Sequence, residues 1–183
     1  MRTEEKWEEM FKENAIKMFF PPRIANDLLQ FTDKPKLKRG SYFIHGEIAT
    51  GKTILASKLM LEELKYSYLE EKPMRSMFVS FPNLLMELRK TYDPKNNISE
   101  SSVMETYLDC DVLVIDDFMT TRPTDWVLDI MYHLINHRYE YIKTTIITSN
   151  KDLSELEKML GDQRITSRID RMCVSVEKES LYD

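Results

Sequence analysis

The stretch Gly46-Glu47-Ile48-Ala49-Thr50-Gly51-Lys52-Thr53 constrains this chain more than any other. It matches Gly-x-x-x-x-Gly-Lys-[Ser/Thr], which builds a phosphate-binding loop when it lies between a strand and a helix. Both flanks are present. Ser41-Tyr42-Phe43-Ile44-His45 reads as a short apolar strand, and Ile54, Leu55, Leu59 and the run from Leu61 to Leu64 read as the apolar side of a long helix. Two glycines let the backbone turn its N–H groups around phosphate oxygens, and the positive end of the helix favours the anion. In such a loop Lys52 reaches the β- and γ-phosphates and the Thr53 hydroxyl ligates Mg²⁺. The expected nucleotide contacts are Gly46, Glu47, Ile48, Ala49, Thr50, Gly51, Lys52, Thr53 and Ile54, with ATP and Mg²⁺ as the ligands. The alternative is a chance match in a helix-capping turn, which strand and helix in that order argue against.

The second informative stretch is Val112-Leu113-Val114-Ile115-Asp116-Asp117. Four branched aliphatic residues in succession, without alternation, mark a strand buried on both faces of a parallel sheet. The two acids then emerge at its C-terminal edge, where open α/β sheets bind ligands. Asp116 is placed to hold Mg²⁺, and Asp117 to orient or deprotonate an attacking water. Thr144 to Thr148 reads as another central strand, ending in Ser149-Asn150. Asn150 is there positioned to hold that water in line, although Ser-Asn alone is only a turn signal. Arg164, Arg168 and Arg171 stand at i, i+4 and i+7 and share one helix face. Such a stripe is ordinarily solvated, but phosphoryl transfer needs positive charge on the γ-phosphate, often from a neighbouring subunit.

Around these pieces the chain alternates between helices and strands. Thr3 to about Met18 has an amphipathic pattern with Trp7, Met10, Phe11, Asn14 and Met18 near one face, fitting a packed brace or a docking helix. Phe20-Pro21-Pro22-Arg23 breaks it. A short helix over Ile24–Phe31 follows, then a polar connector from Thr32 to Gly40 whose four basic residues read as solvated. Beyond the first long helix, Ser76–Ser80 reads as a strand and Phe81–Arg89 as a helix. Next come a loop over Thr91–Ser99, a helix to Tyr107, and a long helix from Thr124 or Asp125 to about Tyr141. Helices over Asp152–Leu160 and Gln163–Arg171 and a strand at Val174–Val176 complete the pattern. The order implies a three-layer α/β domain with a mainly parallel, five-stranded sheet. Residues 1–19 form an N-terminal helical segment, and 20–183 the domain proper.

Composition narrows the partners. A net charge of −5 argues against a general nucleic-acid coat. Any DNA contact must come from a local patch, for which Arg89 and Lys90 are the candidates, giving weak binding to single strands. Only Cys110 and Cys173 occur, too few for a zinc site or disulfide framework, and buried thiols in a reducing cytosol are expected. No apolar run has membrane-spanning length and no signal-peptide pattern is visible, so a cytoplasmic protein with no membrane partner is expected.

Taken together, these motifs resemble the AAA+ ATPase domain of bacterial and phage replicative helicase loaders of the DnaC/DnaI type, with the IstB transposition helpers close behind. The resemblance runs from about Phe20 to Val176. Phe20-Pro21-Pro22-Arg23 is similar to the Pro-x-Arg segment beside the adenine pocket, and Phe81-Pro82 with Leu84–Arg89 to the helix after the second strand. Asp116-Asp117 looks like the Walker B pair, in the Asp-Asp rather than Asp-Glu form. Trp126, Ile135-x-x-Arg138-Tyr139 and Ile147-Thr148-Ser149-Asn150 look like the helix and strand leading to sensor 1. Arg164-Ile165-Thr166-Ser167-Arg168-Ile169 resembles box VII, which carries the arginine-finger role onto Arg168.

The resemblance implies an ATPase of DNA replication that self-assembles around ATP and helps to load a replicative helicase. A transposition helper, a nucleotide-binding adaptor with negligible turnover and a small-molecule kinase are the rival readings. The kinase fits the phosphate loop but not the set Asp116, Asp117, Asn150 and Arg168. Two departures bear on activity. Only about forty residues precede the first strand, where loaders usually carry a helicase-binding domain. No arginine follows Val176 to act as sensor 2, so weak or partner-stimulated hydrolysis is expected.

Overall fold

The computed structural model describes residues 2–178, apart from Thr32, Lys34, Pro94, Thr120 and Thr121. Five strands, β1 (Tyr42–His45), β2 (Ser76–Ser80), β3 (Val112–Asp116), β4 (Thr144–Ser149) and β5 (Val174–Glu177), form one sheet in the order β2-β3-β4-β1-β5. Every neighbouring pair is parallel. Parallel neighbours need crossovers, and the helices that make them cover both faces. The three central strands are accordingly buried almost throughout.

Strand alternation divides the core in two. Leu113 and Ile115 of β3, Phe43 of β1 and Ile147 of β4 point to one side. There they meet α5 (Phe81–Lys90), α6 (Glu100–Asp109), α7 (Asp125–Glu140), α8 (Leu153–Leu160) and α9 (Gln163–Met172). Val112, Val114, Tyr42, Ile44 and Ile146 point the other way, onto α3 (Pro22–Gln30), α4 (Lys52–Leu69) and the N-terminal helical segment. The three-layer α/β architecture is as expected.

Local chemistry accounts for the boundaries. Phe20 is extended and Pro22 opens α3 at its first turn, where a missing N–H costs nothing. Ser99, Thr124, Asp152 and Asp162 cap α6, α7, α8 and α9 with side-chain oxygens, and Asp152 forms a reciprocal capping box with Glu155.

Two expectations are corrected here. The N-terminal segment is not one regular helix. It runs as α1 (Glu4–Lys6), a π-turn over Trp7–Phe11 and α2 (Lys12–Phe19). A π-turn inserts a residue into the helical repeat and rotates everything after it. The buried positions are therefore Trp7 and Ile16, while Met10, Phe11 and Met18 are exposed at 60%, 42% and 76%. Trp7 and Ile16 share a core with Leu59 and Met60 of α4, so this segment packs on the domain as a brace. The connector is not wholly solvated either. Arg39 lies over the Tyr66 ring, 3.4 Å from its centroid, and its Nε donates to the buried Glu63 carboxylate at 2.9 Å.

One buried cation orders the opposite face. Arg138 on α7 is fully buried and donates to the carbonyls of Tyr107, Cys110 and Thr144 at 2.8, 3.0 and 2.7 Å. A guanidinium can satisfy several carbonyls at the end of α6 at once because its five N–H groups form a rigid fork. Burial lowers its pKa, against the pull of Cys110 and Asp111. Both thiols are protected. Burial raises the pKa of Cys110, with Arg138 opposing, and pushes that of Cys173 up to about 12.

Candidate functional site

The turn after β1 requires its first glycine for space as well as conformation. Gly46 has φ +137°, and a Cβ there would lie 2.2 Å from the carbonyl oxygen of Lys178, beside which the chain leaves β5. Lys178 in turn donates its N–H to His45 at 2.7 Å, so the sheet edge clamps the start of the loop. Ala49 and Gly51 also take positive φ, and Gly51 is the N-cap of α4. The loop therefore ends on the N-terminus of an 18-residue helix, an arrangement suited to anions.

Above the strand ends lies a cleft of about 650 Å³, within the range of small-ligand sites. Ile48 to Ile54, Asp116, Asp117 and Asn150 line it, joined by Pro21, Arg23, Ile24, Asp27 and Phe31. Residues from four separate stretches of sequence thus share one space. Gly46 and Glu47 do not line it. Their carbonyls instead accept from Lys52 Nζ, at 2.9 and 2.5 Å, and Thr50 closes the turn by donating to Glu47 at 3.0 Å. Burial lowers the pKa of Lys52, while the charges of Asp117 and Asp116 pull it back up.

The two halves of the site meet through hydroxyls. Thr53 Oγ1 donates to Asp116 Oδ1 at 2.9 Å, across 63 positions of sequence. Thr148 Oγ1 donates to the same oxygen at 2.7 Å. Asp116 is buried, and that burial raises its pKa despite both hydrogen bonds, so the site would gain from a cation that offsets the charge. Asp117 is exposed and sits at φ +54°. Asn150 is exposed at the end of β4.

The donor set fits Mg²⁺. A hydroxyl and a carboxylate, both hard oxygen ligands, adjoin each other at the cleft. Among the described residues there is no cluster of three or more His, Cys, Asp or Glu that could hold a metal. Mg²⁺ is characteristically held by one or two protein oxygens with phosphates and water, so this small set suffices.

Arg168 is elsewhere. It does not line the cleft; its guanidinium lies over the Tyr132 ring of α7, 5.1 Å from the centroid, with Nε donating to Asn136 Oδ1 at 2.5 Å. Arg164 lies over the same ring at 4.7 Å and is paired with Asp162. Arg171 is exposed. Sequence reasoning did not single out Thr148, because a threonine among branched residues in a strand carries no signal beyond β propensity. Nor did it single out Asp27 and Phe31, which reach the cleft only because α3 folds over α4.

Residues 30–181 match the family described as IstB-like ATP binding protein. The chain belongs to this family. Among curated proteins it is 26% identical over 125 residues to the replicative helicase loader DnaC of Buchnera aphidicola subsp. Baizongia pistaciae, an alignment covering 68% of this chain and 48% of that protein. It is 24% identical over 151 residues to the uncharacterized protein YqaM of Bacillus subtilis, covering 78% and 44% respectively. The chain thus spans about half the length of the curated relatives it matches.

Solved structures agree on the fold. A crystal structure of the DnaC helicase loader superposes with a TM-score of 0.63 at 23% identity, covering 97% of this chain and all of that one. A structure of DnaI gives 0.60 at 22%, covering 86% and 84%. AMPPCP-bound DnaA from Aquifex aeolicus gives 0.59 at 18%, covering 90% and 49%. These likenesses show that the chain shares the fold of the DnaC, DnaI and DnaA structures. No helix among the described residues is long and apolar enough to cross a membrane.

Proposed function

We propose that this chain binds ATP with Mg²⁺ in the cleft, hydrolyses it in assembly with further copies of itself, and acts in DNA replication by helping to load a replicative helicase. The observation that carries the reading is the Thr53–Asp116 hydrogen bond of 2.9 Å, which joins the phosphate loop to the acid-bearing strand. Lys52 leaves the loop carbonyls for the β- and γ-phosphates, and the loop N–H groups take the phosphate oxygens. Thr53 and Asp116 hold the metal, which when bound neutralises charge on the transferring phosphoryl group. Asp117 takes the water's proton and Asn150 keeps that water in line. Arg23, Ile24 and Phe31 line the same cleft and are the residues left to receive the base.

Arg168 is held off its own cleft, and this supports a role at a neighbour's γ-phosphate. The helicase as partner rests on the similarity to the Buchnera loader. The family's IstB name supports the second reading, a transposition helper. Titration with a fluorescent ATP analogue with and without Mg²⁺ tests the nucleotide site. A pull-down from the native cell with ATP present tests the process: capture of a hexameric helicase is expected, and capture of a transposase instead would overturn the replication reading.

A further inference from the structure

Thr148 sits fully buried near the end of β4, two residues before Asn150. Its side chain and backbone bind three consecutive residues of the neighbouring strand end. The hydroxyl donates to Asp116 Oδ1 at 2.7 Å and accepts the Asp117 N–H at 3.0 Å. The carbonyl accepts the Phe118 N–H at 2.8 Å. A hydroxyl has one proton and free lone pairs, so both side-chain bonds form together.

These bonds decide how the two acids are presented. Asp116 Oδ1 is also bound by Thr53, but Thr53 itself lines the cleft. Thr148 does not line that cleft, so its hold on Asp116 does not compete with a ligand there. Asp117 needs its own anchor. Its left-handed backbone, at φ +54°, is disfavoured for a residue with a side chain and persists where the surroundings fix it. The Thr148 oxygen fixes it by taking the amide. Relaxation toward an ordinary backbone conformation would turn the Asp117 carboxylate away from its present place on the cleft wall.

We propose that Thr148 is a positioning residue of the phosphoryl-transfer site, setting the direction of Asp116 toward the metal and of Asp117 toward the water without touching the nucleotide. The inference rests on the ATP–Mg²⁺ reading of the cleft. Partners that orient a metal ligand from behind are typically worth about 10–100-fold in metal affinity or activity.

The test compares Thr148→Val, which removes the hydroxyl at nearly constant volume, with Thr148→Ser, which keeps it. ATP-analogue affinity is measured with and without Mg²⁺, alongside the steady-state ATPase rate. Thr148→Val is expected to bind the nucleotide as the wild type does without Mg²⁺. It should lose most of the Mg²⁺-dependent gain in affinity and about 10–100-fold in kcat, with little change in KM. Thr148→Ser should recover both. Should Thr148→Val fail to fold, Thr148→Cys carries the same expectation, since sulfur is a weak acceptor. A Val or Cys variant with wild-type Mg²⁺ dependence and kcat would overturn the role of Thr148 alone. A wild type that binds ATP equally with and without Mg²⁺ would instead sink the metal site itself.

Discussion

The floor of the cleft and the arginine face of α9 both carry candidates for catalysis, but they are built differently. At the floor, Asp116 accepts from Thr53 at 2.9 Å and, from behind the cleft wall, from Thr148 at 2.7 Å, so three separate elements meet on one carboxylate oxygen. On α9, Arg164 and Arg168 rest on the Tyr132 ring, and Arg168 is held by Asn136. Interlocked buried groups give an arrangement that one chain can complete alone. A half-buried arginine leaning on the half-buried Tyr132 and Asn136 is positioned yet unfinished. The contrast predicts that binding belongs to the single chain and hydrolysis to a pair of chains.

The largest effect that could break this contrast is at Arg168. Arg168→Ala should bind ATP normally and lose about 10³-fold or more in turnover, as expected for an arginine supplied in trans. Specific ATPase rate should rise with protein concentration. Mixing Arg168→Ala with Asp117→Asn, which keeps binding and loses hydrolysis, should restore partial activity. Rates independent of concentration, without rescue on mixing, would return Arg168 to a solvated helix face. Next comes Lys52→Ala, which should weaken ATP binding by about 2–5 kcal/mol because the buried phosphates lose their counter-charge. Isothermal titration checks it, and unchanged affinity would remove the loop from the argument.

A smaller effect sharpens the contrast through stability. Burial raises the pKa of Asp116, so the stability of its neutral form is present below the unfolded carboxyl pKa and is lost as pH rises through the raised folded value. At neutral pH the charged form therefore costs stability. Asp116→Asn can still accept from both threonines, and should raise the thermal midpoint of the nucleotide-free protein by a few degrees, with a gain on the order of 1 kcal/mol. It should also lose the Mg²⁺-dependent gain in ATP affinity. A lower midpoint would show that the charge is stabilising where it stands. The smallest expectation concerns DNA. Arg89 lies 5.4 Å from the Trp126 ring centroid, with Lys90 exposed beside it. Binding of single strands should be weak, with log affinity falling as log salt rises. The Arg89→Ala, Lys90→Ala double variant should bind less, and equal affinity would dismiss this patch.

What was legible in the sequence follows from range. The loop and the acid pair are short-range patterns, and they stand between strand and helix and at the end of β3, where the residues imply. The parallel sheet was legible because β3 is too continuously aliphatic to face water on one side and helices separate the strands in sequence. Side chains whose partners lie far away in sequence were not. Arg39 and Glu63 are 24 positions apart, and Arg138 meets Tyr107 across 31. Thr148 depends on strand register, since only the placement of β4 beside β3 brings it against Asp116 and Asp117. The face of the N-terminal helix was misread because periodicity assumes a constant repeat, which the π-turn at Trp7–Phe11 breaks.

The left-handed backbone at Asp117 limits which acids can replace one another there. Short polar side chains tolerate that conformation better than long ones, since they can bond locally to offset the steric cost. An aspartate is thus well matched to the φ of +54°. Asp117→Glu would extend the carboxylate into the cleft while placing a less tolerant residue in the turn. A change between the two acid forms of this strand end would then carry a steric cost, one that this chain accepts elsewhere at Glu71, with φ +53°.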